Sequence, residues 1–447
     1  MSSSPRTRVH PTVPAQLLRA TLFHTPYNPF LTEGALQTFS DGGLVIAEGR
    51  VLACGNYVAL QAQYPQAVVR DLRGGFLLPG LVDTHIHYPQ VRILGSLGLS
   101  LLDWLQQCAL PEETRLGNEE YAHTVAKEFV LALAAHGTTT SLVFGAHFPA
   151  ATSALFDAAG RIGLRMVSGL VVADRLLRPD LHQTPEAAYD ASKELIRKFH
   201  GKGLLLYAVT PRFALSASEA MLEVCQTLMR EHTDVRFQTH LNEHPQEVAE
   251  VLKLFPWAKD YLAVYERFGL IEERSVLAHN LHPTDGELQR LSESKATVSH
   301  CPCSNAALGS GWFPLRRHIE AGVRCAMGTD VGAGTGFGLL KEGLQAYMMQ
   351  RLAPEGFPLG PAHLLYLATR AGAEALGLET KIGDFQPGKA ADFVYLRPPR
   401  HSPLAVVSAH ANSPEHLLAA LFTLAGAESV CEVCVEGVPV YSRDHDN

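Results

Sequence analysis

Between residues 79 and 329, apolar strand-like runs alternate with amphipathic helix-like stretches. The runs end near His85, Phe144, Val172, Thr210, His240, His279, His300 and Thr329. Helical patterns lie between them at Glu120–Ala135, Ser216–Arg230 and Pro245–Lys253, the last with proline in its first turn, where a missing N–H costs nothing. Parallel strands need a crossover, usually a helix, so regular strand–helix alternation predicts a parallel sheet. Eight such units predict an α/β fold of the (β/α)8 TIM-type barrel, with its active site at the C-terminal ends of the strands. The barrel is expected over residues 76–384.

The flanks read differently. Gly42-Gly-Leu-Val-Ile-Ala-Glu-Gly-Arg-Val-Leu-Ala53 looks like two short strands around a Glu-Gly turn. Ala391–Leu396 and Val433–Tyr441 are similar β material. These pieces predict one small β-sandwich domain built from both termini, residues 1–75 and 385–447.

The ends of the apolar runs carry the chemistry. Alternate side chains of a strand share a face, so His85 and His87 aim two imidazoles at one point, as a divalent metal needs. His240, His279 and Asp330 each close a run of their own, and Glu243 follows His240 by three residues. The chain has 21 histidines, so a single one carries little weight; His10, His24, His123 and His401 show no pattern. An ordered series at strand ends, with a separate glutamate, points to a metal-dependent hydrolase.

Composition narrows the substrate. The net charge is −8 and no basic run occurs, which excludes a phosphate-rich polymer and favours a small, uncharged substrate. The eight cysteines form no disulfide-rich framework. Cys301-Pro-Cys303 and Cys431-Glu-Val-Cys434 lack a matching second pair, so they read as reduced thiols. No run of about 18 apolar residues occurs, so no membrane span is expected. No apolar leader core follows Met1-Ser-Ser-Ser-Pro-Arg-Thr-Arg8, and a reducing cytoplasm is the expected compartment.

Seven segments carry a resemblance that spans nearly the whole chain. They are Pro79-Gly-Leu-Val-Asp-Thr-His-Ile-His-Tyr-Pro-Gln90, Thr210-Pro-Arg-Phe-Ala214, Thr239-His-Leu-Asn-Glu-His244, Leu277-Ala-His-Asn280, Ser299-His-Cys-Pro-Cys-Ser-Asn305, Gly328-Thr-Asp-Val-Gly-Ala-Gly334 and Ile382-Gly-Asp-Phe-Gln-Pro-Gly-Lys-Ala-Ala-Asp-Phe-Val394. The chain resembles the amidohydrolase superfamily and, through His-Tyr-Pro-Gln and Pro-Arg-Phe-Ala, its guanine deaminases. Cys303 departs from the threonine that similar sequences often have there.

The resemblance implies that His85, His87, His240 and Asp330 bind one Zn²⁺ per chain; Fe²⁺ also suits nitrogen and oxygen ligands. It implies hydrolytic deamination of guanine to xanthine and ammonia. Glu243 would shuttle protons, His279 would hydrogen-bond the attacking water, and Asp330 would orient or deprotonate it. Gln90, Arg212 and Phe213 would recognise the purine beside His87, His240, Glu243 and Asp330. Similar enzymes are often homodimers. A deaminase of another heterocycle, such as an oxidised purine, a pterin or a triazine, would share the metal residues; Gln90, Arg212 and Phe213 must separate these. A silent scaffold barrel and a purine-binding regulator fit a complete hydrolytic site poorly.

Overall fold

The structure, a computed structural model, describes residues 14–443; the N-terminal stretch Met1–Arg8 discussed above lies outside them. Strands β1 (Gln16–His24), β2 (Gln37–Ala47), β3 (Arg50–Asn56) and β4 (Val68–Pro79) open the chain. Next come β5 (Leu81–His87), β6 (Thr138–Phe144), β7 (Arg165–Gly169), the two-residue β8 (Val171–Val172) and β9 (Leu205–Pro211). β10 (Arg236–Leu241), β11 (Ser275–His279), β12 (Thr297–His300) and β13 (Arg324–Met327) complete the central series, and β14 (Phe393–Leu396), β15 (Val430–Val435) and β16 (Val438–Ser442) end the chain.

β5, β6, β7, β9, β10, β11, β12 and β13 lie side by side in chain order, all parallel, with β8 continuing the line of β7 against β9. They form the expected barrel. Its seam, between β13 and β5, is closed just beyond the last strand. Asp330 N–H donates to the His85 carbonyl at 2.8 Å, and His87 N–H donates to the Val331 carbonyl at 2.8 Å. Gly328 permits this approach, since a Cβ there would lie 2.7 Å from the Cβ of His85.

Helices cover the barrel by apolar stripes. On the helix Glu119–Ala135, Ala122, Val125, Ala126, Phe129, Val130 and Leu133 are buried, the three- and four-residue spacing of one helical face. The helix expected from Ser216 begins at Glu219. Ser218, not Ser216, accepts the Met221 N–H at 3.2 Å, and Ser216 lies in a preceding 3₁₀ turn. The helix Pro245–Leu254 has proline in its first turn, and His244 caps it by accepting the Gln246 N–H at 3.2 Å.

The remaining strands form one sheet in the order β16-β15-β14-β4-β1-β2-β3, so both ends of the chain share it. It folds over on itself. Val51 N–H donates to the Lys389 carbonyl at 2.8 Å and Ala391 N–H donates to the Gly49 carbonyl at 2.8 Å. Between the facing halves Leu18, Leu44, Val51, Phe385, Phe393 and Cys434 pack together, which gives the sandwich character expected of it. All eight cysteines are free thiols. β4 passes directly into β5 through Gly80, whose N–H donates to the Asp392 carbonyl at 2.9 Å. The first metal-type histidines, His85 and His87, therefore stand six and eight residues beyond the small sheet's β4 yet inside the barrel. No helix among the described residues is long and apolar enough to cross a membrane.

Candidate active site

His85 and His87 stand at the end of β5, His240 near the end of β10, His279 at the end of β11, and Asp330 just past β13. All five are buried and converge on one point. The Nε2 atoms of His85 and His87 are 3.2 Å apart, and those of His87 and His240 are 3.3 Å apart. Oδ1 of Asp330 lies 3.3 Å from Nε2 of each of His85 and His87.

This donor set fits a cation. Tetrahedral Zn²⁺ with bonds of about 2.0–2.1 Å holds neighbouring ligand atoms roughly 3.3–3.4 Å apart. Nδ1 of His240 lies 2.6 Å from the Arg212 carbonyl, which claims the proton of a neutral ring and leaves Nε2 as a bare lone pair. Lone pairs gathered this closely repel one another unless a positive charge sits among them. Burial and the neighbouring imidazoles also push the His240 pKa well below its ordinary value, which favours the neutral, ligating form of that ring. Phe144, which ends β6, packs on three of these histidines with centroid distances of 5.1 Å to His85, 4.5 Å to His87 and 4.7 Å to His240.

The strand ends are held by groups that carry no direct chemistry. Asp83 accepts hydrogen bonds from His85 N–H at 3.1 Å and from Thr329 N–H at 3.2 Å and hydroxyl at 2.5 Å. One buried carboxylate thus ties the first ligand segment to the last. His279 (φ 73°) and Asp330 (φ 48°) lie in the left-handed region, a conformation that persists at functional sites when its surroundings hold it. Asn305 fixes His279 through Nδ1 at 3.0 Å, which turns Nε2 towards Glu243 at 3.4 Å and Asp330 at 3.8 Å.

Glu243 is buried beyond β10. Its pKa is raised well above the carboxylate range, first by burial and then by the charges of Asp330 and Glu247. Its Oε1 has no hydrogen-bond partner, so the group is an unspent proton carrier.

A pocket with about 340 Å³ of empty space opens over this cluster. His87, His240, Glu243 and Asp330 form one side, Gln90, Arg212 and Phe213 another, and Leu101, Trp104, Leu105, Leu308 and Ala333 enclose it. Every residue expected in the site except His85 and His279 therefore lines one cavity, and those two lie directly behind it. Trp104 ends a short helix, Leu101–Trp104.

Three residues escaped the sequence reading: Glu113, His147 and Asp83. Glu113 falls on the inner face of a helical stretch beside Ala109, Leu110 and Leu116, all buried. An acid on an apolar face needs a buried partner, and that pattern was the signal available. Its partners are Arg212 Nη1, at 2.7 and 2.8 Å from the two carboxylate oxygens, and Gln90 Nε2 at 2.8 Å.

Residues 76–440 match the amidohydrolase family. A probable guanine deaminase of Deinococcus radiodurans is 57% identical over 435 residues, 96% of this chain and 99% of that protein. The guanine deaminase of Escherichia coli K12 is 41% identical, with 93% of this chain and 95% of that protein covered. A solved structure of the E. coli guanine deaminase superposes with a TM-score of 0.92 at 39% identity over 96% of this chain and 100% of that one. The chain belongs to the amidohydrolase family, and within it to the guanine deaminases.

Proposed function

We propose that this chain hydrolyses guanine to xanthine and ammonia with one Zn²⁺ held by His85, His87, His240 and Asp330. The observation that carries the reading is a single pocket in which a metal-type ligand cluster, the buried Glu243 and the pair Gln90 and Arg212 face one another. When bound, the metal would polarise water and lower its pKa to about 7, supplying a nucleophile at neutral pH.

The chain's own groups supply the rest. Water adds to the ring carbon that bears the amino group, and Asp330 takes its proton. Glu243, protonated at rest, gives its proton to the adjacent ring nitrogen as that nitrogen gains electron density. Glu243, now a carboxylate, takes the proton of the added hydroxyl and passes it to the departing amine, so the carbon–nitrogen bond breaks with ammonia as the leaving group and the new carbonyl forms. The proton held by Asp330 then passes to Glu243 and restores the starting state. His279 hydrogen-bonds the water and steadies Glu243 through their 3.4 Å contact. Gln90 and Arg212 hold the purine edge, the Arg212 N–H groups against the ring carbonyl, and Phe213 packs on the ring face.

A homodimer, a cytoplasmic location and the division into a barrel, 76–384, with a flanking β domain of 1–75 and 385–447 belong to the same reading. The direct test is ammonia release from guanine, adenine, an oxidised purine and a pterin, with metal content measured on the same sample. Guanine is expected to be strongly preferred, with close to one zinc per chain. Faster turnover of an oxidised purine or a pterin would remove the guanine assignment.

A further inference from the structure

Glu113 is the most heavily used carboxylate in the recognition half of the pocket, although it does not line the cavity. It sits on the helix Leu110–Arg115 and reaches three strand-end loops. It binds Gln90 after β5 at 2.8 Å and Arg212 after β9 at 2.7 and 2.8 Å, and it lies 3.3 Å from His147 Nε2 after β6. Burial opposes its charge. Arg212, then His147 and Gln90, outweigh burial and hold the carboxyl well below the ordinary range.

These contacts set the orientation of both recognition side chains. Arg212 turns Nη1 to the carboxylate, and no other acceptor among the described residues bonds its remaining guanidinium nitrogens. Gln90 is held at both ends, since Nε2 donates to Glu113 and Oε1 accepts the Gly332 N–H at 3.1 Å. The amide cannot flip without setting Oε1 against a carboxylate. One N–H of Gln90 and the free N–H groups of Arg212 are left for a ligand.

We propose that Glu113 is the positioning residue that sets the pocket's selectivity for a purine bearing a carbonyl, acting through Arg212 and Gln90. It neutralises the buried guanidinium, so that the site offers directed N–H donors instead of an uncompensated cation. It also fixes which end of the Gln90 amide meets the ring.

This inference rests on the guanine reading, and its test separates the two. Competitive inhibition constants are measured for hypoxanthine, which has the carbonyl, and for unsubstituted purine, which lacks it. The proteins are the zinc-loaded parent, Glu113→Gln, Arg212→Met and the double variant. In Glu113→Gln the preference for hypoxanthine should fall roughly 10- to 100-fold, the worth of a hydrogen bond to a charged group. The double variant should lose no more than about threefold beyond Arg212→Met, because the carboxylate acts through the guanidinium. A merely structural role would weaken both ligands alike and leave the ratio within about twofold of the parent; that result would overturn the proposal. Should Glu113→Gln fail to fold, Glu113→Asp keeps the charge and withdraws it by one methylene, and an intermediate ratio is expected. A parent that releases no ammonia from guanine would remove the proposed function and leave the inhibition ratios to judge Glu113 alone.

Discussion

The two sides of the pocket are built in opposite ways. On the metal side His85, His87, His240 and Asp330 stand on or beside regular strands; backbone hydrogen bonds across the barrel seam hold His85, His87 and Asp330, and the β10–β11 ladder holds His240. On the recognition side Gln90 stands on a 3₁₀ turn after β5 and Arg212 on the loop after β9, and one buried carboxylate from a separate helix holds both. The first arrangement is rigid because the barrel is rigid. The second depends on side-chain pairing, so one substitution can redirect it without disturbing the strands. The division leaves the metal-type cluster fixed by the sheet and the recognition groups carried on the connections after the strands.

The largest effects should come from the metal side. Asp330→Ala removes a proposed ligand and the group proposed to take the water's proton, so deamination should fall to background and elemental analysis should show metal loss. Full metal with full activity would end the ligand assignment. Glu243→Gln should lose at least about 10⁴-fold in turnover, because one near-isosteric change removes several proton transfers. Its metal content and thermal midpoint should match the parent. Turnover within about fivefold of the parent would remove the shuttle role.

The contrast also explains what was legible. The barrel and the convergence of its metal-type side chains could be read because alternation of strands and helices and placement of histidines at run ends are periodic signals. Glu113 could not be located, since Arg212 lies 99 positions away and nothing local shows which acid meets which base. His147 resembled any other histidine after a strand. Asp83 lay inside the quoted motif, yet its bonds to Thr329 cross 246 positions. The start of the helix at Glu219 was missed because Ser216 and Ser218 are equally good caps in sequence, and only the 3₁₀ turn at Ala214–Ser216 decides between them. Local chemistry was visible; pairing across the barrel was not.

Arg212→Met tests whether recognition is separable. The variant loses the donors aimed at the purine carbonyl and leaves Glu113 buried without its main partner. Truncating one member of a buried charged pair costs roughly 10²–10³-fold in binding or turnover. kcat/KM for guanine should fall by that amount with metal retained. The parent should reject adenine by about 10⁴–10⁵, since it places an amino donor where the site presents donors and lacks the amino group on the attacked carbon. An unchanged preference in Arg212→Met would move carbonyl recognition elsewhere.

Gln90→Ala should have the smallest effect and is the sharpest probe of the boundary. Gln90 belongs to the recognition side through Glu113, but its Oε1 accepts the N–H of Gly332, two residues beyond Asp330. Truncation leaves Glu113 one donor short while Arg212 still neutralises it, so the loss in kcat/KM for guanine should be about tenfold. It also leaves the Gly332 N–H without its partner. If the barrel seam alone holds Asp330, through its N–H on the His85 carbonyl at 2.8 Å, metal content should stay at the parent level. The loss should then appear mainly in KM, because what is removed is a contact to the bound purine. Measuring metal stoichiometry beside KM and kcat separates the two outcomes. Metal lost together with kcat would mean that Gln90 braces the Asp330 loop, and that the two sides of the pocket are one mechanical unit.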